Sequence, residues 1–206
     1  IAAVQEKHIG TSLKHFCCNN SEFSRLWASM DVDERTLREI YLEAFRISCE
    51  SKPWTVMCSY NLINGVYASE NKWLLGDVLR GEFGFSGVVV SDWGAVHSEF
   101  RRVRAGLDLE MPNSSHAYDD LMRAYEKGYI TDEQIDKSVV QILELIEKSE
   151  NDLKKTVFTK EQRHENAVKI AEEGIVLLKN EDNILPLKPM SKTVDCACSG
   201  GMVYAS

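Results

Sequence analysis

The sequence lacks any apolar run of about 18 residues, the length that a membrane-spanning helix requires. It also lacks a basic stretch followed by an apolar core at its start, so we predict no signal peptide there. Acidic residues outnumber basic ones by 32 to 24, and the net charge of −8 argues against a nucleic-acid partner, which needs a basic surface. We therefore expect neither a membrane nor a nucleic acid as a partner.

Motifs for metals and cofactors are missing as well. No glycine-rich phosphate loop follows any predicted strand, which argues against a nucleotide-binding sheet. The cysteines do not have the spacing of a zinc site, and no histidine pair completes one. We expect no metal, no cofactor and free, mostly buried thiols in a reducing compartment, which suggests a cytoplasmic protein. The six cysteines are Cys17, Cys18, Cys49, Cys58, Cys196 and Cys198.

The two ends of the chain differ from those of a complete domain. The first residue is Ile1 rather than Met, and the last residues, CACSGGMVYAS, resemble neither a helix end nor a completed strand pair. Hydrophobic residues make up 44% of the chain, which is enough for a real core. We therefore expect a globular piece of a longer protein.

Short apolar segments alternate with helical patterns along the first half of the chain. The predicted strands cover 10–16, 54–60, 87–92 and 107–111. This alternation predicts parallel strands with helical crossovers, and both an open doubly wound sheet and a barrel fit it. Met57 and Cys58 are interpreted at this point as strand core.

Helical periodicity fills the segments between and after these strands. Asp33 is a suitable N-cap for the first helix, and Thr131 with Gln134 forms a capping box for the fifth. The predicted helices cover about 34–48, 71–84, a short segment up to 104, 115–127, a segment from 131, and 160–173. In the helix that follows Thr131, the predicted buried face carries Ile135, Val139, Ile142 and Ile146. Residues 149–159 are polar and predict a connector.

Polar side chains that could bind a ligand or take part in catalysis lie where the predicted strands end. In parallel α/β folds, sites form at the carboxyl ends of the strands. The mixture suits a sugar, because its hydroxyls need charged or amide partners and its apolar face stacks on an aromatic ring. One carboxylate that attacks while another donates a proton is the scheme of a retaining glycosidase. The residues concerned are Lys14, His15, Asn19, Asn20, Tyr60, Asn61, Asp92, Trp93, Asp108 and Glu110.

Each of these residues also has a purely structural explanation. Asp92 could cap a helix that starts at Trp93, and Trp93 itself could belong to the core. His15 could be a structural histidine. For Asp108 and Glu110 we favour roles in a turn and as partners of a helix. Only the joint pattern favours a site.

Five segments together resemble the β-glucosidase branch of glycoside hydrolase family 3, over residues 1–188. They are KHFCCNNSE (14–22), VDERTLREIYLEAF (32–45), VMCSYNLINGVYASENKWLLGDVLRGEFGFSGVVVSDWGAV (56–96), AGLDLEMP (105–112) and IVLLKNEDNILPL (175–187). The resemblance implies an α/β fold in which the second half of a TIM-type barrel leads into an α/β sandwich domain that is mostly missing. The implied segments are the half barrel (1–148), a connector with a helix (149–188), and a truncated domain start with an atypical tail (189–206).

The resemblance also implies roles for individual residues. It assigns Asp92 as the nucleophile that forms the glycosyl-enzyme intermediate, and it places the general acid/base beyond Ser206. It assigns contacts with the substrate to five further side chains, namely Lys14, His15, Met57, Tyr60 and Trp93.

The sequence therefore predicts a retaining β-glucosidase that acts on a small β-glucoside or an oligosaccharide, with little activity in this chain alone. One alternative is a β-xylosidase or another exo-glycosidase of the same family. A second is a non-catalytic remnant or weak sugar-binding piece that self-associates through open strand edges. A third, an aldolase-like barrel, would use Lys14 as a Schiff base.

Overall fold

The computed structural model describes two compact units, Ile1–Lys154 and Lys155–Ser206. The described residues are 1–152, 158–186, 195–198 and 201–204. The three-part division expected from the sequence stays a prediction.

A parallel three-stranded sheet forms the centre of the first unit. Its strands are β1 (Ser12–Phe16), β2 (Thr55–Cys58) and β3 (Val88–Val90), with β2 in the middle. In the register of β2 with β3, Thr55 lies opposite Val88 and Met57 opposite Val90. All three residues of β3 are buried, as is typical of strands covered on both faces. The chain is therefore an α/β protein with a parallel sheet, and three of the four predicted strands are confirmed in shortened form.

The fourth predicted strand, 107–111, is wrong, because Leu109 makes only a single parallel bridge to Val90. The Asp108 carboxylate accepts a hydrogen bond from the backbone N–H of Val89 at 2.7 Å. The carboxylate thus takes a donor that a neighbouring strand would otherwise use. The alternation of apolar residues in LDLEM predicts a strand and gives no indication of this side-chain contact.

Helices surround the sheet of the first unit. They are α1 (34–49), α2 (Trp73–Glu82), α3 (Glu99–Ala105), α4 (Ala117–Glu126) and α5 (Asp132–Asp152), preceded by a short turn of helix at Ala2–Gln5. The Asp33 carboxylate accepts from the backbone N–H of Thr36, which confirms the predicted cap. The middle of α1 and all of α2 have the wider π-type hydrogen bonding. A second, smaller sheet pairs the strands Ser29–Met30, Leu62–Ile63 and Val66–Tyr67.

The capping box at the start of α5 is confirmed, since Thr131 and Gln134 exchange backbone and side-chain hydrogen bonds at 3.1 and 3.4 Å. The predicted buried face is wrong in part. Val139 is 46% exposed and Ile146 is 47% exposed. The partly buried side is lined instead by Ile135, Ser138, Ile142 and Leu145. Ser138 lies near the Asp108 carboxyl, and its hydroxyl helps to lower the pKa of that group.

The second unit contains α6 (Lys160–Gly174). A capping box formed by Thr159 and Gln162 lies at the start of this helix. The strands Asp195–Cys198 and Gly201–Tyr204 pair antiparallel, so the expectation that the tail is no completed strand pair is wrong. Two residues separate these strands in the sequence, which is the connection length of the commonest hairpins. Of the predicted connector 149–159, residues 149–152 belong to α5 and 153–157 lie outside the described residues.

Asp108 is tied to the helix layer by a buried ion pair, as the favoured structural interpretation predicted. Its Oδ2 lies 2.6 Å from an Arg80 guanidinium nitrogen, and Arg80 also donates to the carbonyls of Gly87 and Gly106. Burial raises the pKa of the Asp108 carboxyl, while the Arg80 charge and the Val89 N–H oppose that rise. Arg80 therefore joins α2 to the start of β3 and to the segment 106–108 beside it.

Replacing Arg80→Met is expected to lower the free energy of unfolding by about 3–5 kcal/mol, because it leaves the buried Asp108 carboxylate without its partner. Urea unfolding measures the change. The control is Arg35→Met, whose exposed pair with Glu39 predicts a change within about 1 kcal/mol. Equal losses in the two variants would contradict a structural role for Arg80.

Candidate active site

Asp92 lies two residues beyond β3, at the carboxyl edge of the sheet, and its side chain is largely buried. Its Oδ2 lies 3.4 Å from Nε2 of His15, and its Oδ1 accepts the backbone N–H of Trp93 at 2.7 Å. No helix begins at Trp93, since the next helix along the chain starts at Glu99, so the explanation of Asp92 as a helix cap is wrong. The carboxylate is instead held between an imidazole and a backbone donor.

The loop that carries Asp92 is braced by the segment after the single bridge at Leu109. The Ser91 hydroxyl accepts from the Met111 N–H at 2.8 Å, and the Gly94 N–H donates to the Met111 carbonyl at 2.8 Å. Gly94 has a φ of 74°, a conformation that glycine adopts without strain. These bonds fix the backbone on both sides of Asp92, so the carboxylate position is set before any ligand binds.

Tyr60 follows β2 and reaches the same loop. Its hydroxyl donates to the Trp93 carbonyl at 2.9 Å. Burial and the negative charge of Asp92 raise the pKa of the Tyr60 phenol, and the Arg25 charge opposes that rise. Tyr60 therefore stays a neutral hydroxyl that can donate or accept a hydrogen bond next to the carboxylate.

Arg25 is a site residue that the sequence reasoning missed. Its guanidinium lies over the Tyr60 ring, 4.7 Å from the centroid, and is held by the Glu22 carboxylate at 2.6 Å. The spacing of Glu22 and Arg25, three residues apart, was the available signal, but it also describes many ordinary surface pairs. The structure thus adds a cation to the wall of the site.

The remaining predicted residues differ in how closely they approach Asp92. Trp93 is 60% exposed, so the alternative that it belongs to the core is wrong. Met57 is half-buried in β2, opposite Val90. Lys14 is exposed and forms no ion pair with any described residue, so the structure does not tie it to the carboxylate.

Glu110 belongs to a different cluster. Burial raises the pKa of its carboxyl, and Glu99 adds to that rise while Arg102 opposes it. Glu99 and Arg102 pair at 2.6 Å on α3, so Glu110 faces this helix, as the favoured structural interpretation proposed.

Neither a metal cluster nor a membrane helix is seen in the part of the chain that the structure describes. No group of three or more histidine, cysteine, aspartate or glutamate side chains there could hold a metal ion. None of the helices described is both long and apolar enough to cross a membrane. The cysteines at positions 17, 18, 49 and 58 are free and buried, as expected.

Comparison with known proteins relates these features to one family. Residues 1–145 match the glycosyl hydrolase family 3 N terminal domain. An exo-α-(1→6)-L-arabinopyranosidase of Bifidobacterium longum is 46% identical over 190 residues, and thermostable β-glucosidase B of Acetivibrio thermocellus is 44% identical over 192. Each alignment covers 91% of this chain but 25% of the relative, so the chain spans about a quarter of their length.

Solved structures agree with the sequence relatives. The GH3 β-glucosidase of Bifidobacterium adolescentis matches with a TM-score of 0.75 and 46% identity, over 91% of this chain and 28% of that one. β-Glucosidase 3B of Thermotoga neapolitana in complex with glucose matches with a TM-score of 0.75 and 38% identity, over the same shares.

The charges around Tyr60 give a testable prediction. Replacing Asp92→Asn removes a negative charge and is expected to lower the pKa of Tyr60, whereas Arg25→Gln removes a positive charge and is expected to raise it. Tyrosinate absorbance in an alkaline titration, with Tyr60→Phe subtracted, measures both shifts. Asp77→Asn, an exposed position on α2, is the control and leaves the titration unchanged. Shifts of the opposite sign would contradict the arrangement.

Proposed function

Because this chain belongs to glycosyl hydrolase family 3, we propose that it forms part of a retaining β-glucosidase whose nucleophile is Asp92. The observation that carries the proposal is the buried Asp92 carboxylate at the carboxyl edge of a parallel sheet, 3.4 Å from His15. A carboxylate in this position suits attack on an anomeric carbon. The substrate would be a small β-glucoside or an oligosaccharide with a terminal β-D-glucosyl residue.

The geometry supports a covalent mechanism in two steps. Asp92 attacks the anomeric carbon and forms a glycosyl-enzyme ester, which water then hydrolyses with net retention of configuration. The bond from the Trp93 N–H and the contact with His15 orient the carboxylate before substrate binds. A nucleophile that is already oriented loses less entropy on reaching the transition state. The general acid/base is assigned to no residue of this chain.

The side chains around Asp92 suit a sugar ring. The exposed indole of Trp93 offers a flat apolar face for a ring to pack on, and the Tyr60 hydroxyl lies near the carboxylate. In the proposal, Lys14 and His15 bind sugar hydroxyls and Met57 lines the pocket. Lys14 would have to turn inward from its exposed position to do so.

The parallel sheet supports the second half of a TIM-type barrel as the fold of the first unit, with an α/β sandwich domain after it. In such a barrel the free edges of the sheet would pair with further strands. In the chain alone, those edges would favour self-association, because unpaired strand edges pair readily with another chain.

An arabinopyranosidase is the second candidate. It rests on the 46% identity to the exo-α-(1→6)-L-arabinopyranosidase of Bifidobacterium longum, which is similar to the identity with the β-glucosidase of Acetivibrio thermocellus. Both candidates use the same nucleophile in this proposal and differ in the sugar that is bound.

Incubation with 2,4-dinitrophenyl 2-deoxy-2-fluoro-β-D-glucoside tests the role of Asp92, because its activated leaving group departs without a proton donor. The expected result is a glycosyl adduct on the tryptic peptide 81–101, which contains Asp92. Asp92→Asn is expected to lose the adduct completely, whereas Asp77→Asn, at an exposed site on α2, is expected to retain it.

An adduct on a different residue would contradict the assignment of the nucleophile. If the chain stays unlabelled while a full-length relative labels in parallel, the chain is a non-catalytic piece. The corresponding fluorinated arabinopyranoside, run alongside, separates the two candidates by whichever sugar labels at least about tenfold faster, equivalent to about 1.4 kcal/mol of discrimination.

A further inference from the structure

Two adjacent thiols lie directly after β1. The Sγ atoms of Cys17 and Cys18 are 3.5 Å apart. Both residues are buried, with 0% and 4% of their surface exposed, respectively. Cys18 has a φ of 65°, which turns the chain, and its carbonyl accepts from the Asn20 N–H at 3.0 Å. The two sulfurs are thus held in contact with each other by a tight turn.

The two thiols of this pair differ in acidity. The hydrogen bond between the two thiols lowers the pKa of the Cys18 thiol and, together with burial, raises the pKa of Cys17. The thiols of Cys49 and Cys58 are less acidic, because burial raises the pKa of Cys49 to about 11 and that of Cys58 to about 12. Of these four thiols, Cys18 is therefore the best nucleophile, since the thiolate is the reactive form.

We propose that Cys17 and Cys18 are a redox-modification site, at which a small peroxide closes a reversible disulfide between neighbouring residues. The proposal rests on the contact between the two thiols, which places the second sulfur where it can resolve the oxidised first one. It does not depend on the proposed glycosidase function.

The reaction balances with one peroxide molecule. The Cys18 thiolate attacks one oxygen of hydrogen peroxide, the O–O bond breaks, and the departing hydroxide takes up a proton to form water. The Cys17 sulfur then attacks the resulting sulfenic acid, displaces its hydroxyl group and gives up its proton, which forms a second water. Two thiols and one hydrogen peroxide thus yield one disulfide and two waters.

Geometry makes this bond a reversible one. Cα atoms of adjacent residues are at most about 3.8 Å apart, whereas disulfides usually join Cα atoms about 4.4 to 6.8 Å apart. A bond outside that range is strained, and strained disulfides are more easily reduced than structural ones. A dithiol reductant would therefore restore the pair.

Closure of the bond acts on two loops of the candidate active site. The Cys17 carbonyl accepts the Ser59 hydroxyl at 2.7 Å, and the Ser59 N–H donates to the Phe16 carbonyl at 2.8 Å. The sulfurs must approach by about 1.5 Å to bond, which pulls on these contacts. His15 and Tyr60 flank this junction on either side.

Mass spectrometry of the tryptic peptide 15–25 tests the proposal, because that peptide holds both cysteines and no other. The reduced, folded chain is treated with hydrogen peroxide, quenched with catalase, denatured and alkylated. The expected product has lost two hydrogens, carries no alkyl group, and returns to the doubly alkylated form after dithiothreitol. Cys49 and Cys58, on a different peptide, stay open to alkylation.

The single variants Cys17→Ser and Cys18→Ser are expected to lose this product, and Cys49→Ser is the matched control that keeps it. Near-ultraviolet circular dichroism confirms that each variant is folded. Full alkylation of the peptide after peroxide, conversion to sulfinic acid instead of a disulfide, or equal oxidation of Cys49 would overturn the proposal.

Hydrogen exchange measures the effect on the loops. Oxidation is expected to speed exchange of the Ser59 amide by about tenfold, because the bond to the Phe16 carbonyl is weakened. Unchanged exchange in a chain that has formed the disulfide would overturn the link between the thiol pair and the site.

Discussion

The parallel pairing of β2 with β3 is the constraint on which the site depends. In this register Met57 lies opposite Val90, so the residues that follow both strands emerge at the same edge of the sheet. Tyr60 therefore reaches the loop of Asp92 and bonds to the Trp93 carbonyl. A slip of one residue would reverse the faces of β3 and separate these groups.

Polar contacts between side chains and backbone stabilise the carboxyl edge of the sheet, in addition to the pairing of the short strands. Asp108 bonds to the Val89 N–H and to Arg80, while Ser91 exchanges hydrogen bonds with Met111. These bonds hold a segment that makes only one bridge to the sheet. The buried charges cost desolvation, and the pairing offsets that cost only while each partner remains. The carboxyl edge of the sheet is thus held by polar groups as well as by packing.

The match to glycosyl hydrolase family 3 and the geometry of the structure both concern the segment around Asp92. The family match covers the segment that contains Asp92, and the structure shows that carboxylate buried, oriented and next to an imidazole. The adjacent thiols of Cys17 and Cys18 follow β1, next to His15, and take no part in the proposed catalytic roles. The ends of β1 and β2 thus carry two residues of the proposed sugar site, His15 and Tyr60, beside the thiol pair.

Local patterns in the sequence determined the alternation of strands and helices, the caps at Asp33 and Thr131, and the position of Asp92 at a strand end, because these depend on near neighbours. Only the tertiary structure decided what requires distant segments to meet. The Asp108 carboxylate takes the Val89 N–H that a fourth strand would have used, and α5 packs with Val139 facing outward. The cation of Arg25 over the Tyr60 ring likewise joins residues 35 positions apart. Such contacts produce no periodic pattern in the sequence, because the residues involved come together only when the chain folds.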